Sequence, residues 1–486
     1  MKKMLLILIT ALVYNTGFSQ TYAEQYAFYI EKETLSKHIH VLASDSLEGR
    51  ATGYTGQLKT TDYLINEFKA NGLEGPEGYR DMRFPYKVVE ISPSGSITLN
   101  NNAFSYYENF LFFGIKSTVS FSNKEVVYIS NDVTEEVDVE DKIVLLQSNG
   151  EDFDYENLQK NTKKHVDRGA AAIIYMTPFY EQLKMYFEDY AFHKSMTLLK
   201  EDKKSITPLI IADTSLMRAA GFEGRWKRKL SKGKPIKKPV ILPKSSIQLN
   251  TDTSHLNTQN VVAFIEGGER KEEVLVLTAH MDHLGVEDGE VFNGADDNAT
   301  GTAALLEIGK AFQLAKKDGH TLKRSLLIMP VSGEEKGLLG SQYYSENPIF
   351  PLEKTIADLN IDMIGRTDDR HDHSNYVYII GSDMISPDLH KINQAANDNY
   401  VGLELDYTYN TADDPNRYYY RSDHYNFAKH GIPSVFYFSG VHEDYHKSTD
   451  TVDKINFEKV ETVTKLVFFT AWELLDMEGG LVTSDE

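Results

Sequence analysis

The sequence predicts an α/β fold with a mixed central sheet, helices on both faces and a small β-rich inserted domain. From Asn260 onward, apolar strand patterns alternate with helical patterns. Those strands are apolar throughout, which is typical of a sheet that is covered on both faces. The stretch 117–246 instead contains short strand patterns that are bounded by polar or glycine residues.

Composition narrows the possible functions. The 486 residues include 51 Lys and Arg against 72 Asp and Glu, which gives a net charge of −21. This acidity argues against nucleic-acid binding, which needs a basic face. A hydrophobic content of 41% argues against a disordered chain. Because the chain has no Cys, any metal must be bound by His and carboxylate side chains.

Residues 1–20 have the layout of a secretory signal peptide. A basic start, Met1–Lys3, precedes the apolar run Met4–Val13 and a stretch that ends at Gln20. The apolar run is too short to anchor a protein in a bilayer. We therefore expect cleavage near Ser19 or Gln20 and an exported chain without a membrane span, located in the periplasm or secreted.

The rest of the chain divides into three parts, over 21–116, 117–246 and 247–486. The first part has a helical pattern over Leu35–Asn71, which is interrupted by a glycine-containing loop over Asp45–Gly56. The second part contains four strand patterns, at Val126–Ile129, Ile143–Leu146, Ala171–Tyr175 and Leu209–Ile211. Its basic run Arg225–Lys244 is either a patch for RNA or membranes or a solvated loop, and its Gly and Pro residues favour the loop.

The third part has the strongest alternation. Strands are predicted at Val274–Thr278, Ser325–Val331, Ala357–Ile361, Tyr376–Ile380 and Ser434–Phe438. Helices are predicted at Gly301–Lys317, Gly337–Glu346, Asp388–Asn399 and Phe457–Met477.

Acidic and histidine side chains cluster where the predicted strands of the third part end. The candidates are His280, Asp282, His283, Asp296, Asp297, Glu334, Glu335, Asp362, His442 and His446. Ligand sites of open α/β sheets lie beyond the carboxyl ends of the strands, so these loops should meet at one edge. So many like charges in one crevice would repel each other unless cations compensated them. The sequence therefore predicts a metal centre.

Five motifs carry a family resemblance. In order they are HMDH, GADDNATG, SGEEKGLLGS, NIDMIGR and DYHKSTDT. They resemble the clan MH di-zinc aminopeptidases, the family of bacterial leucyl aminopeptidase, aminopeptidase Y and the glutamate carboxypeptidases. The resemblance covers 260–477 and implies the zinc-exopeptidase version of a phosphorylase/hydrolase-like fold. The loop LASDSLEGRATGYTG resembles the leading helices of the same domain, and DKIVLLQSNG with HVDRGAAAIIYM resembles a protease-associated domain.

The resemblance implies two zinc ions per chain and a role for each site residue. One zinc would be bound by His280 and Asp362, the other by Glu335 and His446, with Asp297 bridging both. Asp282 would orient the ring of His280 from behind. Glu334 would act as general base toward a metal-bridged hydroxide, and Tyr445 would polarise the substrate carbonyl.

The leading hypothesis is an exported zinc aminopeptidase acting on peptides. A carboxypeptidase or dipeptidase would need arginines near the site, and Arg366, Arg417 and Arg421 are candidates. A mono-zinc glutaminyl cyclase and an inactive binding protein are disfavoured because the ligand set is complete. Asp423 either supports the site or caps a helix.

Overall fold

The computed structural model describes residues 21–113, 118–130, 137–147, 155–186, 195–199, 207–230, 232, 236 and 238–483. The predicted signal peptide lies outside the described residues. The chain forms two compact units, one over residues up to 84 together with 259 onward, the other over 85–258. None of the described helices combines the length and the apolar composition needed to cross a bilayer.

The first unit begins with three helices, α1 (Tyr22–Ala27), α2 (Lys32–Leu42) and α3 (Thr55–Ala70). Helix α2 buries the residues that recur at helical spacing, Leu35, Ile39 and Leu42. The predicted loop between α2 and α3 contains a 3₁₀ segment over Asp45–Arg50 that is kinked at Glu48 and Gly49. The helices and the loop therefore lie where the sequence predicted them.

The second unit is built on one nine-stranded sheet. Its strands are β1 (Arg83–Leu99), β2 (Asn102–Ser105), β3 (Phe110–Phe113), β4 (Val119–Ser130), β5 (Ile143–Gln147), β6 (Ala172–Thr177), β7 (Ser195–Leu198), β8 (Leu209–Asp213) and β9 (Val240–Val261). The order is β2-β1-β9-β4-β5-β6-β8-β3, with β7 paired to β1. Its described helices are α4 (Tyr155–Val166), α5 (Tyr180–Tyr186), α6 (Ser215–Ala219) and α7 (Gly224–Leu230).

This unit is wider than the insert predicted over 117–246. Strand β1 pairs with β2 and β7, and β9 pairs with β4 as far as Leu249, so all of them belong to the same sheet. The middle of β1 has the sequence SPSGS, whose polar and glycine residues are typical of a loop, so the sequence pattern did not predict this strand. That this unit is a protease-associated domain stays a prediction.

The rest of the first unit carries a seven-stranded sheet. Its strands are β10 (Ala263–Ile265), β11 (Arg270–His280), β14 (Arg324–Val331), β15 (Thr355–Ile361), β16 (Tyr376–Ile380), β17 (Glu404–Asp406) and β18 (Ser434–Phe438), with a separate hairpin of β12 (Gly285–Glu287) and β13 (Glu290–Phe292). The order is β10-β14-β11-β15-β18-β16-β17. The four strands β14, β11, β15 and β18 are parallel, whereas β10 is antiparallel to β14 and β16 to β18, so the sheet is mixed as predicted.

Helices cover both faces of this sheet. They are α8 (Gly301–Lys317), α9 (Leu339–Glu346), α10 (Pro387–Ala396), α11 (Tyr425–Ala428) and α12 (Phe457–Asp476). Alternate residues of β11 face opposite layers: Leu275 and Leu277 join the core of α8 and α12, whereas Val274 and Val276 join that of α9 and α11. Burial on both faces explains why the central strands are apolar throughout.

Candidate metal centre

Two neighbouring strands bring the first pair of predicted ligands together. His280 is the last residue of β11, and Asp362 follows directly after β15. The two strands are parallel and paired, with Thr278 opposite Asn360. This register places His280 Nε2 3.2 Å from Asp362 Oδ1, and both residues are buried.

Asp282 contacts His280 through its main chain. Nδ1 of His280 lies 3.1 Å from the carbonyl oxygen of Asp282, which fixes the orientation of the ring. The carboxylate of Asp282 has other partners: it accepts from the Thr52 hydroxyl at 2.7 Å and from the main-chain N–H of Glu334 at 3.3 Å. Asp282 therefore ties the loop after β11 to the loop that carries Glu334.

Asp297 lies between the two sets of ligands. Its Oδ1 is 3.2 Å from His280 Nε2, and its Oδ2 is 3.3 Å from His446 Nε2. The main-chain N–H groups of Asp296 and Asp297 both donate to the carboxylate of Asp450, at 3.1 Å. Asp450 thus supports the loop from behind.

The start of α8 holds this loop against β15. The side-chain amide of Asn298 donates to the Ile361 carbonyl at 2.8 Å, and its oxygen accepts from the N–H of Gly301 at 2.9 Å. A Cβ at position 301 would lie 2.4 Å from the Ile361 carbonyl oxygen. Only glycine allows this close approach, which brings Asp297 to the end of β15, where Asp362 follows.

Glu335 and His446 form the second pair, with His446 Nε2 3.1 Å from Glu335 Oε2. The structure adds a contact for His283, which the sequence placed in the cluster without a ligand role. Its buried ring places Nδ1 2.6 Å from Glu335 Oε1. The only sequence feature that pointed to His283 was its position three residues after His280 in the same loop. That feature does not distinguish a site residue from a histidine packed in the core.

Charges in the cluster interact strongly. Burial opposes ionisation of Asp297, but hydrogen bonds with His280 and His446 keep its pKa well below the usual value. Burial also opposes the protonated form of His446. The negative charges of Glu335 and Asp297 have the larger, opposite effect and raise the pKa of His446 to about 11. The carboxylates therefore favour a positive charge at the imidazoles, where a metal ion would supply it.

Glu334 is placed differently from the ligands. Its Oε2 is 4.0 Å from His280 Nε2, and it lines the cavity beside the cluster. Burial is the main cause that raises its pKa well above the usual value; Glu335 and Asp362 add to the shift, and His280 opposes it. Glu334 is thus a buried carboxyl with a high proton affinity at the rim of the cluster.

Tyr445 faces the same cavity. Its ring stacks on that of His446 with 3.8 Å between centroids, and its hydroxyl oxygen accepts from Arg421 at 3.3 Å. Burial, together with Asp297 and Glu335, holds the pKa of Tyr445 well above its usual value, and Arg421 opposes this. The hydroxyl therefore keeps its proton and can donate it in a hydrogen bond.

The residues present fit zinc. Ligand atoms of His280, Asp297 and Glu335 all lie within 4.8 Å of one another. Imidazole nitrogens and carboxylate oxygens are ordinary zinc ligands. Because each oxygen of Asp297 faces a different imidazole, the arrangement offers two adjoining sets of ligands with one shared carboxylate.

Asp423 supports the neighbourhood of the site and does not cap α11. Its Oδ1 accepts from the Ser341 hydroxyl at 2.5 Å, and the α11 N-terminus receives no side-chain cap. Among the described residues, its buried Oδ2 has no hydrogen-bond partner. Burial raises the pKa of Asp423 to about 7.

Arg50 is a further residue that sequence reasoning missed. Its guanidinium is buried and donates to four main-chain carbonyls, those of Met281, Leu42, Asn293 and Gly294, at 2.5–2.9 Å. Burial lowers its pKa to about 10, against the opposing effects of Asp297 and Asp282. Arg50 thereby joins α2, the loop after β11 and the loop that carries Asp297.

Residues 260–471 match the model of peptidase family M28. This segment is similar to the M28 peptidases, and the match agrees with the resemblance carried by the five motifs.

Two relatives with peptidase names match the same part of the chain. A probable leucine aminopeptidase from Trichophyton verrucosum is 29% identical over 222 residues, which cover 44% of this chain and 57% of that protein. A probable glutamate carboxypeptidase from Arabidopsis thaliana is 29% identical over 203 residues, 40% of this chain and 26% of that protein. The match therefore spans little more than half the length of the first relative and about a quarter of the second.

The fold is shared with a solved aminopeptidase structure. The aminopeptidase from Aneurinibacillus sp. strain AM-1 superposes with a TM-score of 0.59 at 19% identity, over 95% of this chain and 97% of that chain. At this identity the likeness concerns the fold alone. It extends over nearly the whole chain, beyond the M28 segment.

Proposed function

We propose that this chain is an exported, zinc-dependent exopeptidase that removes N-terminal residues from peptides. The observation that carries the proposal is the Asp297 carboxylate, whose two oxygens each lie near a different histidine, His280 and His446. The M28 match and the leucine aminopeptidase relative support the reaction class. The export component rests on the signal-peptide pattern of residues 1–20.

The proposed ligands are His280 and Asp362 for one zinc and Glu335 and His446 for the other, with Asp297 shared. Zinc, when bound, supplies a Lewis acid for the substrate carbonyl and makes water more acidic. The protein's part is to hold these donors in a fixed geometry. Asp282, Ser422 and Asp450 contribute by bonding to the ligands or to their main chain.

We assign the proton transfers to Glu334. Its carboxylate faces the cavity. The main-chain N–H of Glu334 donates to the Asp282 carboxylate, and this hydrogen bond holds the residue near the cluster. A raised pKa suits a group that takes a proton from the attacking water and then delivers it to the leaving amine. Glu335, next to it in the chain, faces His283 and His446 and is free of this role.

Tyr445 is assigned to the developing negative charge on the substrate oxygen. Its hydroxyl oxygen already accepts from Arg421, so its own proton remains available for the substrate. A preorganised donor of this kind stabilises the transition state more than the ground state.

The same cavity gives a second candidate, a carboxypeptidase or dipeptidase. It is favoured by Arg421, which lines the cavity, and by the glutamate carboxypeptidase relative. A mono-zinc glutaminyl cyclase is the third and weakest candidate. Zinc content per purified chain separates it from the two-zinc alternatives.

The test uses aminoacyl anilides and peptides with free or acetylated amino groups. We expect hydrolysis of the free-amine substrates, loss of activity after chelation and recovery on addition of zinc. Acetylation of the amino group should abolish hydrolysis by an aminopeptidase but leave a carboxypeptidase active. Activity that survives a strong chelator would contradict the metal assignment.

A further inference from the structure

Strand β15 and the residue that follows it carry polar side chains on one face. Asp358, Asn360 and Asp362 occupy alternate positions, so their side chains lie on the same face and lead toward the metal ligands. The residues between them join the apolar core of α8 and α12 instead. All three polar side chains are buried. Buried polar groups of this kind need hydrogen-bond partners.

These side chains belong to a row of four hydrogen-bond contacts. Thr278 Oγ1, on the paired strand β11, lies 3.0 Å from Asp358 Oδ1 and 2.9 Å from Asn360 Oδ1. Asn360 Nδ2 lies 2.8 Å from Ser422 Oγ, and Ser422 Oγ lies 2.7 Å from Asp362 Oδ2. We call this row, from Asp358 to Asp362, the hydrogen-bond relay. A carboxyl group stands at each of its ends.

The number of protons in the relay decides its charge. Each contact needs one proton between its two polar atoms. The hydroxyls of Thr278 and Ser422 supply one proton each. The amide of Asn360 supplies one, because it faces one neighbour with its nitrogen and the other with its oxygen. Three protons cannot serve four contacts, whichever way the amide is turned. A carboxyl group at one end must therefore hold the fourth proton.

The surroundings of the two ends favour Asp358 as the holder of this proton. Asp362 Oδ1 lies 3.2 Å from His280 Nε2 within the ligand cluster, a contact that suits an ionised carboxylate. The titratable groups whose charges act on Asp358 are instead Asp423 and Tyr344, and neither is cationic. Among the described residues, the buried Oδ2 of Asp358 has no hydrogen-bond partner, which would be costly for a carboxylate. Burial and the charge of Asp423 raise the pKa of Asp358 well above its usual value.

We propose that Asp358 is a neutral carboxylic acid that donates the first hydrogen bond of the relay and thereby positions the metal ligand Asp362. The role of Asp362 as a ligand rests on the proposed function. Asp358 donates to Thr278, whose own hydroxyl then points to Asn360, and the amide of Asn360 turns an N–H toward Ser422. The Ser422 hydroxyl is left to donate to Asp362 Oδ2. Asp358 is thus a positioning residue that adds no charge to the metal centre.

The first experiment detects the proton on Asp358 through the pH dependence of unfolding. If native Asp358 holds a proton that the unfolded chain releases, wild type releases one proton more on unfolding than Asp358→Asn does. The ratio of their unfolding constants, wild type over variant, should then rise roughly tenfold per pH unit between about pH 5 and 7. Other ionisable groups and bound zinc affect both proteins alike and cancel in the ratio. A constant ratio would show that Asp358 is ionised and would overturn the proposal.

Tryptophan fluorescence makes this measurement specific for the unit that contains Asp358. The full chain has two tryptophans, Trp472 in the first unit and Trp226 in the second. In a Trp226→Phe background, Trp472 reports unfolding of the first unit alone. The control repeats the comparison with Asp423→Asn added to both proteins, since Asp423 is the neighbouring acid. The pH dependence should persist there; its disappearance would assign the proton to Asp423 and overturn the proposal.

The second experiment measures whether the relay positions Asp362. Thr278→Val keeps the shape of threonine but interrupts the relay, so zinc affinity should fall by up to about tenfold. Thr278→Ser keeps the hydroxyl and should bind zinc as wild type does. Asp358→Asn also keeps a donor, its amide N–H, and should bind zinc normally, whereas Asp358→Leu has no donor and should bind zinc more weakly. Chelator titration monitored by zinc release measures all four affinities.

A double variant tests the route of the effect. Asp358→Leu should cause no further loss of zinc affinity in the Thr278→Val background, because the relay is already interrupted there. A further loss would show that Asp358 acts on the site by another route. Equal affinities for Thr278→Val and Thr278→Ser would show that the relay does not position Asp362. Either result overturns the proposal.

Failure of the proposed function looks different. A wild-type chain that binds no zinc would contradict the proposed function, while the unfolding ratio would still report the proton on Asp358. Normal zinc binding together with a constant unfolding ratio would contradict the assignment of Asp358 alone.

Discussion

The two halves of the ligand cluster are held in different ways. His280 and Asp362 stand at the ends of paired strands, are almost fully buried and are supported by Asp282 and Ser422. Glu335 and His446 come from loops, and the His446 side chain remains 26% exposed. The first half is therefore fixed by the sheet, whereas the second depends on loop contacts such as that of His283.

The largest effect should come from the residue that the halves share. Asp297→Ala removes the carboxylate near both histidines, so zinc content should fall in both halves and activity by more than about a thousandfold. Metal analysis and anilide hydrolysis measure the two effects. Asp413→Ala, at an exposed acid, is the control. Near-normal zinc content in Asp297→Ala would show that the halves do not share this residue.

Glu334→Gln tests chemistry separately from binding. Because Glu334 lies outside both ligand pairs, the variant should keep its zinc while kcat falls by roughly 10²–10⁴. The control is Glu443→Gln, an exposed glutamate on the loop before His446. Normal turnover in Glu334→Gln would remove Glu334 from the proton-transfer role, and loss of zinc would place it among the ligands.

The smallest predicted effect comes from removing a contact that supports one half of the cluster. His283→Leu removes the contact with Glu335, and Ser422→Ala removes the hydrogen bond to Asp362 Oδ2 at 2.7 Å. Loss of such a supporting contact weakens metal affinity by about 10–100-fold. We expect the larger loss in His283→Leu, since the sheet still holds the other half. Chelator titration monitored by zinc release measures both affinities; equal losses would contradict the comparison.

The sequence predicted the parts of the site that stand on regular elements. Strand ends are visible as apolar runs that stop at a polar residue, so the sequence placed His280 and Asp362 at strand ends correctly, and the rule for parallel sheets brought the loops to one edge. The helix over Gly301–Lys317 was predicted with the bounds that the structure has.

The parts that escaped prediction depend on contacts between distant segments. His283 packs on Glu335, 52 residues away in the chain, and Arg50 bonds to the carbonyl of Met281, 231 residues away. Periodicity and local motifs carry no information about such contacts. The early start of the second unit was missed because β1 mixes buried and polar positions, which is the pattern of a strand that is only half covered.

The buried guanidinium of Arg50 bears on how the acidic crevice folds. It donates to main-chain carbonyls in the loops that carry Asp282 and Asp297, and it places a positive charge near their carboxylates. Part of the mutual repulsion is thereby neutralised by the polypeptide itself. We therefore expect that the acidic crevice can fold before a metal ion binds.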